Sequence, residues 1–223
     1  MEVRLVSVSK PMIEECATAE QLVAYCARVS NPNNQANHST SSKLVKYLID
    51  NAHWSPLEMV SVTMEIVTTR DIARQILRHR SFSFQEFSQR YSVAQDFVAD
   101  REARLQDRKN RQNSIKTDDE RLQEQWETMQ SVARAAAKDA YQWALENGIA
   151  KEQARAVLPE GLTVSRMYMA GTLRSWVHYC QLRMENGTQA EHREIADACW
   201  KIICEQFPSI GEALSGDSNE KAA

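Results

Sequence analysis

Twenty-two residues, Arg70 to Tyr91, hold the densest chemistry of this chain: RDIARQILRHRSFSFQEFSQRY. The segment carries five arginines and one histidine against two acids, in a chain whose 27 Lys+Arg and 30 Asp+Glu leave a net charge of −3. On a helix Arg70, Arg74 and Arg78 fall at i, i+4 and i+8, one ridge of guanidinium groups with Gln75 beside Arg78. A planar guanidinium fork makes paired, charge-assisted hydrogen bonds to phosphate oxygens, and serine hydroxyls add to them. An arginine-rich helix face is more often a solvated surface paired with acids elsewhere. The serines and the scarcity of acids tip this one toward an anion, and polarity alone points to a phosphorylated small molecule.

The period changes after Arg80. Ser81, Ser83 and Gln85 alternate with Phe82 and Phe84, as in a strand with one packed and one polar face. The phase breaks at Glu86, where Glu86 and Arg90, like Phe87 and Tyr91, recur at i, i+4 in a turn of helix. A strand entering such a turn can aim Ser88, Arg90 and backbone N–H groups at one anion. No histidine or lysine base stands near Ser88 in sequence, so it reads as a phosphate ligand and not a nucleophile.

The elements that must position this segment follow from hydrophobic period. Val3 to Val8 and Met59 to Val67 alternate as strands. Helices are expected from Thr18 to the Asn31-Pro32 turn, around Leu44 to Ile49, and from about Arg70 with Ile72, Ile76 and Leu77 buried. Longer helices are expected over Asp119 to Asn147, Thr163 to Met184 and Ala190 to Gln206. The first would carry an apolar stripe of Leu122, Trp126, Met129, Val132 and Trp143. Residues 96–120 are nearly all polar and read as a mobile excursion from a single domain of residues 1–212, followed by a flexible tail, 213–223.

Composition narrows the class. With 223 residues, 43% of them hydrophobic, the chain can bury a sizeable core, and only 6 Gly and 5 Pro exclude collagen-like and linker-like readings. No apolar run is long enough to span a bilayer, and MEVRLVSVSK is too polar for a signal peptide. Five cysteines, with no CxxC pair, argue against a disulfide framework or a structural zinc site, so no metal and a cytoplasmic location are expected.

Arg78 to Tyr91, RHRSFSFQEFSQRY, resembles the RHRxxSxNxxSxRY signature of the flavin-dependent thymidylate synthases. Every fixed position matches except Gln85, whose longer amide keeps the donors and acceptor of the usual Asn. His53-Trp54-Ser55-Pro56-Leu57-Glu58, Gln153 to Pro159, and Arg174-Ser175-Trp176-Val177-His178 with Arg183 are similar to three further segments of that family. The resemblance covers roughly residues 1 to 212. It implies an α/β (α+β) fold, a central antiparallel sheet flanked by long helices. It implies a homotetramer with active sites shared between subunits, which takes small-molecule substrates and neither nucleic acid nor membrane. The implied reaction methylates dUMP to dTMP, with 5,10-methylenetetrahydrofolate giving the carbon and NADPH-reduced FAD the hydride.

Residue by residue, the resemblance places Ser55, Arg78, His79, Arg80, Glu86, Thr172, Arg174 and His178 at FAD, with His53 next to the flavin or the folate. Thr172 stands where many relatives carry Asn. At the nucleotide it places Gln75, Arg78, Glu86, Phe87, Ser88, Gln89, Arg90, Arg155 and Arg183. Arg183 is the catalytic candidate, because a guanidinium at the uracil N3/O4 edge favours the electron-rich ring and a nucleophilic C5. On one helix Arg174 and His178 would share a face, while Arg183, nine residues on from Arg174, would point away and serve a neighbouring subunit. Without the motif, His53 could be a turn histidine and His178 a core histidine. Two other readings compete: a classical thymidylate synthase attacking through Cys180, and a nucleic-acid-binding module built on the arginine ridge. Cys180 lacks a Pro-Cys-His context, and the acidic total counts against the second.

Overall fold

The computed structural model describes residues 1–94, 97 and 100–215. The valine-rich alternation near the N-terminus forms β1 (Glu2–Val8). Thr18 opens α1 (Ala19–Ala27), its hydroxyl accepting the Gln21 N–H at 3.1 Å. After α2 (Ser41–Asp50), a 3₁₀ turn over Ser55–Met59 leads into β2 (Ser61–Thr69). There Val62, Met64 and Ile66 turn inward, all buried. The arginine-rich segment supplies α3 (Arg70–Ile76) and β3 (Phe82–Glu86). A hairpin of β4 (Arg104–Gln106) and β5 (Ser114–Lys116) precedes α4 (Glu120–Glu146) and the short α5 (Lys151–Ala154). The chain closes with β6 (Val164–Thr172), α6 (Leu173–Arg183), α7 (Ala190–Gln206) and α8 (Pro208–Ser215).

The main sheet runs β1-β2-β6-β3 with every neighbour antiparallel, as the expected fold class requires. Helix α7 packs on β1 and against α6, and the core between sheet and helices holds Met64, Ile66, Met167, Met169, Trp176 and Ile203. The Trp176 indole donates to the Val62 carbonyl at 3.0 Å, so the largest core side chain is also hydrogen-bonded.

Three expectations need correction. Residues 164–172 form a central strand and not the first half of a long helix. Ser165, Met167 and Met169 are buried while Arg166 and Tyr168 are exposed, the period of a sheet. Pairing on both edges, with β2 and β3, outweighs the helix propensity of Met and Ala. The arginine ridge does not form: α3 stops at Ile76, Arg70 is buried beside Glu86 at 3.6 Å, and Arg74 pairs with Glu160 at 3.2 Å.

The polar excursion is a folded hairpin held down by α4. The Gln130 amide bonds both the N–H and the C=O of Arg101, each at 2.9 Å. Gln123 does the same for Ala103, at 2.7 and 3.0 Å. Two glutamines two turns apart on a helix thus replace a missing strand for residues 101 and 103. The Arg101 guanidinium grips Asp71 with two bonds of 2.8 Å, tying the segment to the start of α3. Of the expected tail, residues 213–215 continue α8; the rest lies outside the described residues.

The apolar stripe of α4 is present but faces outward, with Trp126 44%, Met129 62%, Val132 62% and Trp143 61% exposed.

Gly171 sits opposite Phe82 in the β3–β6 ladder, and a Cβ there would fall inside the van der Waals envelope of the Phe82 ring. That ring cannot retreat, because it packs edge-on against Trp176 with centroids 4.9 Å apart. Gly171→Ala is therefore expected to destabilise the fold by about 1–3 kcal/mol, read as a lower denaturation midpoint. An unchanged midpoint would show that the strand pairing is looser than described.

Candidate active site

The antiparallel pairing of β3 with β6 puts the two ends of the strand that follows the arginines beside different partners. Phe82, at its start, faces Gly171, and Glu86, at its end, faces Met167. A five-residue strand spans about 17 Å, so the groups around Arg78 and those around Ser88 stand well apart within one chain.

At the start of β3 lies the N-terminus of α6. Thr172 caps that helix, its hydroxyl accepting the Ser175 N–H at 3.2 Å, and the Ser175 hydroxyl donates to the Ser81 carbonyl at 3.3 Å. The turn over residues 53–59 packs alongside. The His178 ring meets Trp54 edge-on with centroids 4.5 Å apart, and the Arg174 guanidinium pairs with Glu58. His53 and Ser55 are exposed on this turn, with the Tyr47 ring 6.0 Å from that of His53. Ser55, Thr172, Arg174, His178 and His53 are thus gathered in one region. Arg78 and Arg80 are exposed, with no carboxylate in ion-pair distance among the described residues. Free guanidinium forks near an aromatic, partly apolar surface suit a planar ring system carrying a pyrophosphate, so these residues fit a flavin dinucleotide.

The second group surrounds the end of α6. Arg183 Nε donates to His79 Nε2 at 2.9 Å, so His79 must be neutral there and carry its proton on Nδ1. Burial, and then the Arg183 charge, push the His79 pKa down to about 4. Arg183 and Arg174 point to different partners, as their spacing requires, yet Arg183 reaches His79 within its own subunit. Gln75, Arg78 and Arg183 line one cleft of about 280 Å³ together with Gln112, Thr188 and Gln189. With Nε occupied by His79, the two terminal nitrogens of Arg183 remain for that cleft.

The third group lies beyond the end of β3. The chain turns there, with Tyr91 N–H donating to the Ser88 carbonyl at 3.2 Å and Arg90 N–H to the Ser88 hydroxyl at 3.3 Å. Arg90 pairs with Glu152 at 3.4 Å and Arg155 donates to the Glu152 carbonyl at 3.3 Å, so Ser88, Arg90 and Arg155 come together. Phe87 is anchored by its N–H to the Arg166 carbonyl at 2.8 Å, and Gln89 is buried with its amide nitrogen unpartnered. Glu86 is drawn inward: its carboxylate accepts from the Ser165 hydroxyl at 2.6 Å and sits beside Arg70. One chain therefore does not bring the expected nucleotide residues to one place.

The family described as "Thymidylate synthase complementing protein" matches residues 11–209. The chain belongs to it. Among relatives, a "Probable flavin-dependent thymidylate synthase" of Paramecium bursaria Chlorella virus 1 is 51% identical over 214 residues, covering 96% of this chain and 99% of that protein. A "Flavin-dependent thymidylate synthase" of Synechocystis is 50% identical over 217 residues with the same coverage. Among solved structures, the UMP/dUMP methylase PolB of Streptomyces cacaoi bound with 5-Br dUMP superposes with a TM-score of 0.81 at 28% identity, over 96% of this chain and 94% of that one.

Within this thymidylate synthase family member, Cys180 has no path to a substrate. Its thiol is wholly buried, and burial pushes its pKa well above the ordinary thiol value, the opposite of what a nucleophile needs. Four residues around the cleft carry no signal in the family motifs. Tyr179, His192, Gln189 and Glu191 connect to Gln75 only through the packing of α7 on α3 and against α6. A buried histidine and glutamate at the start of an amphipathic helix would have been the available clue.

His192 is driven further than His79, to about 3, by burial and then by Arg183 and His79. Both histidines have folded pKa values below the unfolded value, so the unfolded chain binds more protons in between. Stability is then complete above about pH 6.5 and declines as pH falls toward 4 and below. Urea midpoints measured downward from neutrality should fall across this window, and His192→Phe should flatten the slope. Parallel profiles for the two proteins would contradict the neutral pair.

Proposed function

We propose that the protein methylates dUMP to dTMP with a bound FAD, taking the carbon from 5,10-methylenetetrahydrofolate and the reducing equivalents from NADPH. The observation that carries this reading is the Arg183–His79 contact, which joins a nucleotide-set residue lining the cleft to a residue of the flavin set. Wholly buried cysteine thiols in that part of the fold speak against the classical, cysteine-dependent enzyme. Membership of this family leaves the nucleic-acid module without support.

In this reading the Arg183 terminal nitrogens lie along the N3/O4 edge of the uracil and stabilise negative charge on the ring, which makes C5 the nucleophile. A neutral His79 holds Arg183 by accepting from Nε, and a protonated ring there would repel it. Gln75 and Arg78 orient the base and sugar side of the nucleotide. Ser88, Arg90, Arg155 and the backbone of residues 86–90 hold the phosphate. Ser55, Arg78, Arg80, Arg174 and His178 hold FAD, with His53 at its open face. Held by these residues, a reduced FAD would supply the hydride needed to bring the transferred carbon to a methyl group, with tetrahydrofolate as the released product.

The strand-length separation of Ser88, Arg90 and Arg155 from Arg183 supports a site completed by another copy of the chain. The outward stripe of Trp126, Met129, Val132 and Trp143 supports burial of α4 in such an assembly, a homotetramer in the family's manner. The protein acts on small molecules in the cytoplasm; among the described residues no helix is long and apolar enough to cross a membrane.

Three variants test the reading. Arg80→Ala should purify with less flavin, since a lost charge-assisted partner weakens binding by roughly 1.5–3 kcal/mol. Arg183→Ala should keep flavin and assembly but lose dTMP formation. Co-expressed with Arg90→Ala, a residue of the separated Ser88–Arg155 group, Arg183→Ala should form mixed oligomers that regain activity. Mixed oligomers without regained activity would contradict shared sites, and full flavin retention by Arg80→Ala would remove that residue from the flavin set.

A further inference from the structure

Gln75 is held from both sides by a chain of hydrogen bonds that begins on the β4–β5 hairpin. The Arg104 guanidinium on β4 pairs with Glu191 on α7, and both side chains are nearly buried, 12% and 11% exposed. The second Glu191 oxygen accepts from the Gln189 amide at 2.9 Å. The Gln189 carbonyl accepts from the Gln75 amide nitrogen at 2.8 Å. On the other side the Gln75 carbonyl stands 3.3 Å from His192 Nδ1, and His192 Nε2 stands 3.2 Å from the Tyr179 hydroxyl.

The polarity of this chain is not free. An ionised carboxylate only accepts, so Gln189 must present its N–H groups to Glu191 and its carbonyl to Gln75. Gln75 must then donate to Gln189 and accept from His192, which places the His192 proton on Nδ1 and makes Tyr179 the donor to Nε2. Each bond follows from the one before. Half a turn of the Gln75 amide would set carbonyl against carbonyl, and half a turn of Gln189 would set its carbonyl against the Glu191 carboxylate. One N–H and one lone pair of Gln75 stay unspent, and the residue lines the cleft with Arg78, Arg183 and the hairpin's Gln112.

We propose that Arg104, Glu191 and Gln189 are positioning residues of the nucleotide site, which lock the Gln75 amide in one orientation toward the pyrimidine. The inference rests on the reading of Gln75 as a nucleotide ligand. The charged hairpin thereby gains a role in the site. Its Arg104 supplies the counter-charge that lets a carboxylate sit beside the cleft and set the direction of every bond behind Gln75. An amide free to rotate would offer donor and acceptor interchangeably to the base edge. A locked one offers a single pattern, which favours one pyrimidine edge over another.

The test is equilibrium binding of dUMP to the flavin-loaded enzyme, with flavin content measured alongside. Gln75→Ala, Arg104→Ala and Gln189→Leu should each weaken dUMP binding about tenfold, the scale of one lost hydrogen bond, and leave flavin content unchanged. Gln189→Leu cuts the chain without touching the Arg104–Glu191 pair, so it still reports if Arg104→Ala disturbs the hairpin. The decisive variant is the double Gln75→Ala/Arg104→Ala, which should bind dUMP no more weakly than Gln75→Ala alone. Losses that multiply in the double variant would reduce Arg104 to a general structural role and overturn the proposal. Wild-type dUMP binding by both Arg104→Ala and Gln189→Leu, with Gln75→Ala weakened, would overturn it while leaving Gln75 a ligand. Wild-type binding by Gln75→Ala would remove the nucleotide reading of Gln75 and the proposal with it.

Discussion

The antiparallel pairing of β3 with β6 is the constraint on which the site depends. It sets the strand after the arginines against the strand before α6, so a segment near residue 80 meets one near residue 172. Phe82 can lie flat over Gly171 only because no Cβ intervenes, and its ring then closes on Trp176 and Tyr179 of α6. With that contact made, α6 runs in a fixed direction. Its first two turns face the residues 53–59 turn through Arg174 and His178, and its last residue, Arg183, arrives at His79. A shift of one residue in this register would turn Phe82 to the other face of the sheet and remove the contact that fixes α6.

Electrostatics complete what packing begins. Arg78 and Arg183 line the cleft, and the two histidines behind them, His79 and His192, are kept neutral by burial and by Arg183 itself. Neutral imidazoles can accept a hydrogen bond, and His79 uses that capacity to aim a guanidinium. The positive charge is thereby concentrated on the arginines, where an anionic substrate can use it. The buried Cys180 thiol of α6 is pushed the other way, toward the protonated form, and stays out of the chemistry.

Much of this was legible in the sequence, for local reasons. β1, α1, α2, β2, α4 and α7 follow from hydrophobic period and from helix starts such as Thr18 and Asp119. The length of the arginine-rich signature made the family readable from Arg78 to Tyr91. β6 was not legible as a strand, because Met167, Met169 and Ala170 suit a helix and a true helix follows at Leu173. The hairpin was hidden for a different reason. Its polar residues look unfolded until Gln123 and Gln130, from a helix further on, supply the missing backbone partners. The inward turn of Glu86 toward Ser165 and Arg70 likewise depends on a strand nearly eighty residues away in sequence.

The central claim is that carbon transfer to dUMP is completed by a flavin-borne hydride, with no cysteine adduct. A single-turnover experiment tests it most directly. Enzyme reduced beforehand and freed of excess reductant is mixed with dUMP and 5,10-methylenetetrahydrofolate, and flavin absorbance and dTMP are followed together. The account predicts that oxidised flavin returns in step with dTMP, in equal amounts, and to the same extent in Cys180→Ser. Formation of dTMP while the flavin stays reduced, or its loss in a folded, flavin-bearing Cys180→Ser, would contradict it.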